Sequence, residues 1–358
     1  AAVAQLRSTR DKQSNLINIA KCAGWAKRGG ASILFLPECL GFMGDNAEHT
    51  LNQSDPPMIE LMKRQQQQQH CETPPLPLTP FRKTLVDTIT LHAGMPGDDT
   101  NTDVDVKIGE ADGQSFTSII EELRFIACEA KLWISGGGVH TAVPQSDLVA
   151  STMPPNERKI YNTHVIIDSD GQIKAYYHKT HLFDVSVPGV NLRESKTTAP
   201  GTKLVVCDSP VGKLALTICY DMRFSEMYVD LVQRGAEVLL MPSAFTVPTG
   251  KAHWHALLRA RAIESQCYVL AAAQVGRHSE KRQSYGHSVV YDPWGKLVAD
   301  AGGYDGKGLS GVIESQQDES SPVRVPSIIM SAIDLDKLAS IRERMPIQQH
   351  RNNSTHSR

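Results

Sequence analysis

Cys219 closes the apolar run 211–218, and the polar stretch Tyr220-Asp221-Met222-Arg223-Phe224-Ser225-Glu226 that follows it opens a helical pattern. A thiol at a strand-to-helix turn is placed for nucleophilic attack. The free N–H groups and partial positive charge of a helix N-terminus are expected to lower its pKa toward the thiolate. Two other apolar runs end in an ionisable group: 31–37 ends at Glu38, and 172–178 ends at Lys179. One such group at the end of each of three buried strands would bring Glu38, Lys179 and Cys219 together at one sheet edge. The trio supplies a nucleophile, a proton carrier and a cation.

The elements that must position these groups alternate between helix and strand. Helical periodicity over 11–30 ends at Gly29-Gly30 and is followed by a short buried strand over 33–36. A helix is expected over 115–130 and a strand over 132–135. Strands over 163–167 and 173–178 flank Asp168-Ser169-Asp170-Gly171, which has hairpin chemistry. Another hairpin turns at Ser209-Pro210-Val211-Gly212 and delivers Cys219. Beyond a helix through Gln233 come a strand over 238–241, a helix over 252–265 and a strand over 267–273. A hairpin at Asp292-Pro293-Trp294-Gly295 and a strand over 328–333 complete the pattern.

Two stretches interrupt it. Residues 52–114 hold the run Gln65–Gln69, the motif Pro74-Pro75-Leu76-Pro77 and an acidic segment, and their low apolar content predicts a largely disordered surface insertion. Within it Asp99, Asn101, Asp103, Asp105 and Glu110 have calcium-loop spacing, but Val104 stands where the sharp turn needs Gly, so no calcium site is expected. Residues 316–323 form a smaller insertion.

The 358 residues, 41% hydrophobic, can bury a large core. A net charge of -2 and a pI of about 6.7 give no general attraction to nucleic acid or an anionic membrane surface. No apolar run approaches the ~20 residues that span a bilayer. Cys22, Cys39, Cys71, Cys128, Cys207, Cys219 and Cys267 are odd in number and lack CxxC spacing, which argues for a reducing compartment and against a disulfide framework or zinc site. The chain opens at Ala1 rather than Met, which leaves a removed targeting segment open. Gly136-Gly137-Gly138 lacks the Lys-Ser/Thr of a phosphate loop, and His253 and His255, two apart on a helix, are a poor metal pair. His178 and His181 flank Lys179 and read as supporting packing rather than as the base.

Beside Leu36-Pro37-Glu38, Tyr177-His178-Lys179-Thr180-His181-Leu182-Phe183 and Ile218-Cys219-Tyr220-Asp221-Met222-Arg223-Phe224, five more motifs follow in order. They are Pro242-Ser243-Ala244-Phe245, Ala252-His253-Trp254, Arg259-Ala260-Arg261-Ala262-Ile263-Glu264, Tyr285-Gly286-His287-Ser288 and Asp292-Pro293-Trp294-Gly295. Together they resemble the nitrilase superfamily, whose enzymes hydrolyse amide or nitrile carbon–nitrogen bonds with a Glu-Lys-Cys triad. The resemblance implies an α/β fold, a four-layer αββα sandwich, that pairs into homodimers or higher homo-oligomers through a sheet-extended core. It implies one carbon–nitrogen hydrolase domain over 1–351, with insertions at about 53–114 and 316–325, and a polar tail over 352–358.

An amide carbonyl is a poor electrophile, so its hydrolysis needs a strong nucleophile, a donor for the oxyanion and an acid for the leaving nitrogen. By the resemblance Cys219 is the nucleophile, Glu38 carries the proton and then activates water, and Lys179 with the Tyr220 N–H stabilises the oxyanion. Glu194 matches a second family glutamate that orients Lys179 or assists proton transfer. No cofactor and no metal are expected. In the most similar branch Arg223, Phe245 and Thr249 would line a pocket for an α-keto dicarboxylate monoamide. Two activities share that pocket, on deaminated glutathione and on α-ketoglutaramate. The basic segment Gly276-Arg277-His278-Ser279-Glu280-Lys281-Arg282 favours deaminated glutathione, whose Cys-Gly part carries a further carboxylate. A catalytically silent scaffold is the alternative of another class, and the intact triad argues against it. The expected compartment is the cytoplasm, with the mitochondrion as a second location.

Overall fold

The computed structural model describes residues 1–44, 47–69, 78–94, 118–144, 146–147, 158–187, 190–280, 282–306, 309–310 and 325–352. The first third runs β1 (Ala2–Leu6), α1 (Lys12–Arg28), β2 (Ile33–Phe35), α2 (Ala47–Asn52), α3 (Met58–Gln69), α4 (Pro80–Ala93) and α5 (Ile119–Ala130). The middle runs β3 (Trp133–Ala142), β4 (Ile160–Ile167), β5 (Ile173–His178), β6 (Asp184–Val187), β7 (Val190–Arg193), β8 (Val205–Cys207), β9 (Leu214–Leu216), α6 (Ser225–Gln233) and β10 (Val238–Leu240). The last third runs α7 (Val247–Ser265), β11 (Tyr268–Ala271), β12 (Ala273–Arg277), β13 (Gln283–Tyr285), β14 (Val289–Tyr291) and β15 (Leu297–Asp300). It closes with β16 (Gly303–Tyr304), β17 (Leu309–Ser310), β18 (Ser327–Met330), α8 (Leu335–Arg344) and α9 (Ile347–Asn352).

Strand alternation sorts the apolar side chains into two cores. Val3, Ile33, Phe35, Ile166 and Tyr177 join a second sheet in one core, whereas Ala2, Ala4, Leu34, Leu36 and Ile134 pack the opposite way against α1 and α5. The first sheet has the order β13, β12, β1, β2, β3, β4, β5, with β18 also paired to β1; the second has the order β15, β14, β11, β10, β9, β8. Buried residues of α6 and α7, among them Tyr228, Leu231, Trp254 and Leu258, cover the second sheet. Helices, sheet, sheet and helices make four layers, as the nitrilase resemblance implies. No described helix is long and apolar enough to cross a membrane.

Most expected boundaries hold within a few residues, but the strand expected over 132–135 runs on to Ala142, and the one expected over 267–273 is two strands, β11 in the second sheet and β12 in the first. α1 starts where the Asp11 side chain accepts from the N–H groups of Gln13 and Ser14, and ends with Lys27 and Arg28 in its last turn. The 168–171 hairpin is closed by Gly171 at φ 74, with Asp168 Oδ1 accepting from Asp170 and Gln172 N–H. α7 begins five residues before the expected position, because Thr246 caps it and Pro248 occupies its first turn.

The expectation of a loop over 52–114 needs correction. Its described residues form α3 and α4, which bury Met58, Leu61, Leu85 and Ile89 in the core beneath α1. Averaged composition hid these amphipathic faces, since the polar residues lie on the opposite side. Gln65 is a structural residue: Oε1 accepts the Ile173 N–H at 2.7 Å, on strand β5. Asp55 caps α5, accepting from Ile119 N, Ile120 N and Ser118 Oγ at 2.9, 2.8 and 2.7 Å. Arg82 on α4 forms a buried ion pair with Glu122 of α5 at 2.9 Å. The calcium-like spacing, the insertion at 316–323, Cys71, Lys281 and residues 353–358 of the tail lie outside the described residues.

Candidate active site

Three strand ends deliver the three expected side chains to one place. Beyond β2, Glu38 bridges to Gly138 of β3; beyond β5, the Lys179 N–H bonds to Asn162 O of β4 at 2.9 Å; beyond β9, the Cys219 N–H bonds to Pro242 O at 2.9 Å. The Glu38 carboxylate accepts from the Cys219 thiol and, through Oε1, from Lys179 Nζ at 3.0 Å. Glu194 adds a second carboxylate, with its oxygens 3.2 and 3.0 Å from Lys179 Nζ. It is no free loop acid, since Oε2 also accepts the Phe183 N–H at 2.7 Å.

Burial and charge set the protonation states. Burial alone would raise the Glu38 carboxyl, but the charge and hydrogen bond of Lys179, with hydrogen bonds from Cys219 and Asn162, hold it below the usual carboxylate range. Burial alone would neutralise Lys179, and Glu194 and Glu38 override it, so the ammonium is held charged well above its ordinary value. Cys219 behaves otherwise than a helix N-terminus predicts. Burial first and Glu38 second push its thiol well above the ordinary range, against the pull of Lys179. The residue opens a short 3-10 turn, Cys219–Arg223, rather than α6 itself, so little helix dipole reaches the sulfur. The resting pair is therefore a thiol facing an ionised carboxylate.

Further residues hold this arrangement, and the linear pattern did not single them out. Asn162, buried on β4, donates Nδ2 to Glu38 Oε1 at 2.9 Å and to Glu194 Oε1 at 3.4 Å. The Ala244 N–H donates to Glu38 Oε2 at 3.0 Å and also favours the thiolate of Cys219. Gln274 Nε2 donates to Glu38 O at 2.9 Å. Asp221, fully buried, accepts from Tyr177 Oη, Ile218 N and His181 N at 2.7, 2.9 and 3.0 Å, and so ties the cysteine turn to the lysine segment. His181 also places Nδ1 2.8 Å from Asp221, and His178 stacks on Tyr161 at 4.0 Å; neither contacts the thiol. Only folding shows the reason for the glycine run: a Cβ on Gly137 would lie 2.0 Å from Leu36 O and 2.3 Å from Pro242 Cβ.

Arg223, Tyr220 and Phe245 gather beside the triad. The Arg223 guanidinium lies 5.7 Å from the Tyr220 ring centroid and 5.5 Å from that of Phe245, with His253 Nδ1 at 3.3 Å. It has no carboxylate partner among the described residues. The Thr249 hydroxyl bonds to that of Thr246, the cap of α7, at 2.8 Å. Arg282 reaches within 3.9 Å of Cys39 Sγ, next to Glu38, while Arg277 is exposed on β12.

A family model described as carbon-nitrogen hydrolase matches residues 1–343. The chain belongs to the carbon–nitrogen hydrolase family. This hydrolase is 46% identical over 235 residues to the deaminated glutathione amidase of Dictyostelium discoideum, covering 65% of this chain and 71% of that one. It is 38% identical over 352 residues to the deaminated glutathione amidase of Bos taurus, covering 98% and 81% of the two chains. Its fold superposes on the crystal structure of the C. elegans NitFhit protein with a TM-score of 0.67 at 34% identity, spanning 98% of this chain and 64% of that protein's length. The nitrilase resemblance of the sequence and the membership of the hydrolase thus agree.

Proposed function

We propose that this carbon–nitrogen hydrolase cleaves the amide of deaminated glutathione, giving 2-oxoglutarate and Cys-Gly. The observation that carries the reading is the resting pair of thiol and carboxylate, Cys219 with Glu38, beside the Lys179 ammonium. Glu38 takes the thiol proton as sulfur attacks the amide carbon. Lys179 and the Tyr220 N–H stabilise the oxyanion, and Glu38 returns the proton to the departing nitrogen of Cys-Gly. Water, activated by Glu38, then splits the thioester and releases the keto acid with the Cys219 thiol restored. Glu194 holds Lys179 in place through its two hydrogen bonds.

For the substrate, Arg223 offers a two-pronged guanidinium to the keto-acid carboxylate, with Phe245 as the pocket wall and Thr249 shaping its rim through α7. Arg282 beside Cys39, with Arg277 and Lys281, would meet the distal glycine carboxylate. The amidase names of the relatives support the same choice. We also read the protein as a homodimer or higher homo-oligomer of the cytoplasm or mitochondrion, which sedimentation and fractionation would test. Purified protein given deaminated glutathione, α-ketoglutaramate and a simple nitrile side by side tests the substrate. Preferred release of Cys-Gly is expected; faster turnover of α-ketoglutaramate would replace the reading by an ω-amidase.

A further inference from the structure

His253 and His255, two apart on a helix, are a poor metal pair, yet folding gives His255 other partners. His255 on α7, His287 ahead of β14 and Asp300 at the end of β15 bring one ligand atom each within 4.8 Å of one another. His287 Nδ1 lies 3.0 and 2.9 Å from the two Asp300 oxygens, and His255 Nε2 lies 3.9 Å from Asp300 Oδ2. Zinc–nitrogen and zinc–oxygen bonds of about 2.0–2.2 Å put the ligands of a tetrahedral ion about 3.3 Å apart, so a shift on the order of an ångström at His255 would complete the set.

The surroundings fit ligation. The other nitrogen of His255, Nδ1, is 3.0 Å from Tyr291 Oη; with Nδ1–H donating to that oxygen, the Nε2 lone pair points toward Asp300. His287 is held in the left-handed region at φ 58, a conformation unusual for a residue with a side chain. Its N–H bonds to Gly302 O at 2.8 Å and its carbonyl accepts from Trp254 Nε1 at 2.8 Å. The ring needs Gly303 beneath it, where a Cβ would lie 2.1 Å from His287 Cδ2. Asp300 Oδ1 also accepts the Gly302 N–H at 2.8 Å. Two ligands are thus preset by the turn, and the third comes from a rigid helix. All three are half-buried, which leaves an entry path and room for water to complete the coordination.

We propose that His255, His287 and Asp300 bind one divalent transition-metal ion of the zinc class. Two imidazoles and one carboxylate suit Zn2+ and its neighbours in the first transition row better than Mg2+ or Ca2+, which prefer oxygen alone. The ion takes the place of the hydrogen bond between His287 Nδ1 and Asp300, the neutral imidazole ligating through its Nδ1 lone pair with its proton on Nε2. It fastens α7 to the β14–β15 hairpin next to Trp254, whose ring packs 4.9 Å from Phe245. The site is separate from the triad and stands whether or not the proposed substrate is right.

The full chain, stripped with a chelator and titrated with Zn2+ by calorimetry and with Co2+ by visible absorption, tests this. Wild type is expected to bind one equivalent at this site, with a tetrahedral or five-coordinate Co2+ spectrum and a raised thermal midpoint. His255→Ala and Asp300→Asn should each lose that equivalent, Tyr291→Phe should weaken it ~10–100-fold, and Cys219→Ala should keep it. Equal zinc binding by wild type and the two ligand variants, loss of the equivalent in Cys219→Ala, or no binding by wild type would overturn the proposal and leave only a His–Asp pair.

Discussion

At the scale of single residues, the site is a balance of charges in which each group sets its neighbour's protonation. Cys219→Ala should abolish amidase turnover with the fold intact, and Glu38→Gln or Lys179→Ala should each lower kcat/KM at least ~100-fold, measured against thermal denaturation as a control. The balance also predicts a pH effect. A thiol held above its ordinary 9.0 alkylates slowly at neutral pH, and its rate rises with pH as thiolate appears. Glu38→Gln removes the charge that helps to hold it there while leaving Lys179, so the midpoint of the iodoacetamide rate against pH should move down even as turnover collapses. Glu38 itself is held below its ordinary 4.5, so its ion pair stabilises the fold fully above that value and the contribution is lost as pH falls through the folded value. The acid limb of a stability curve should be flatter in Glu38→Gln than in wild type.

At the scale of elements, the proposed catalytic groups are as precise as the contacts between strand ends. β2 and β3 approach so closely at Gly137 that Gly137→Ala must push either Leu36 or Pro242 aside. Pro242 accepts the Cys219 N–H and Leu36 leads into Glu38, so the substitution should separate nucleophile and base. A loss of ~1–3 kcal/mol in unfolding free energy is expected, as for other overpacked sites, with a fall in kcat larger than the change in KM. Unchanged steady-state kinetics in a folded Gly137→Ala protein would contradict this account of the glycine run. The succession of helices and strands along the chain and the hairpins could be read from periodicity and turn residues because those signals are local. Asn162, Ala244 and Asp221 could not, since they act through partners 124, 206 and 44 residues away, or through the turn they brace.

At the scale of the whole molecule, the described residues of the segment that looks like an insertion are part of the fold. Leu85 and Ile89 of α4 are buried against α1, whose Gly24 lets the helices touch: a Cβ there would sit 2.7 Å from Ile89 O. Leu85→Ala should cost ~2–5 kcal/mol by opening a cavity. Removal of 64–112 should destabilise the protein strongly rather than leave it unchanged, because it also takes Gln65 from β5 and Arg82 from Glu122. A thermal midpoint that did not move on this deletion would show that α3 and α4 contribute nothing to the core.

Glu38, Lys179 and Cys219 could be proposed as a group from linear order because each closes an apolar strand, but they meet across two sheets, β2 and β5 in the first and β9 in the second, rather than at one sheet edge. The α/β architecture followed from the same alternation of local signals. Tertiary structure alone decided the rest. It turned a thiol expected to ionise at a helix end into one suppressed by burial and a facing carboxylate, since desolvation depends on what surrounds the sulfur and not on its neighbours in the chain. It brought His255 to His287 and Asp300, a grouping the sequence does not show, because proximity across three elements has no spacing in the sequence.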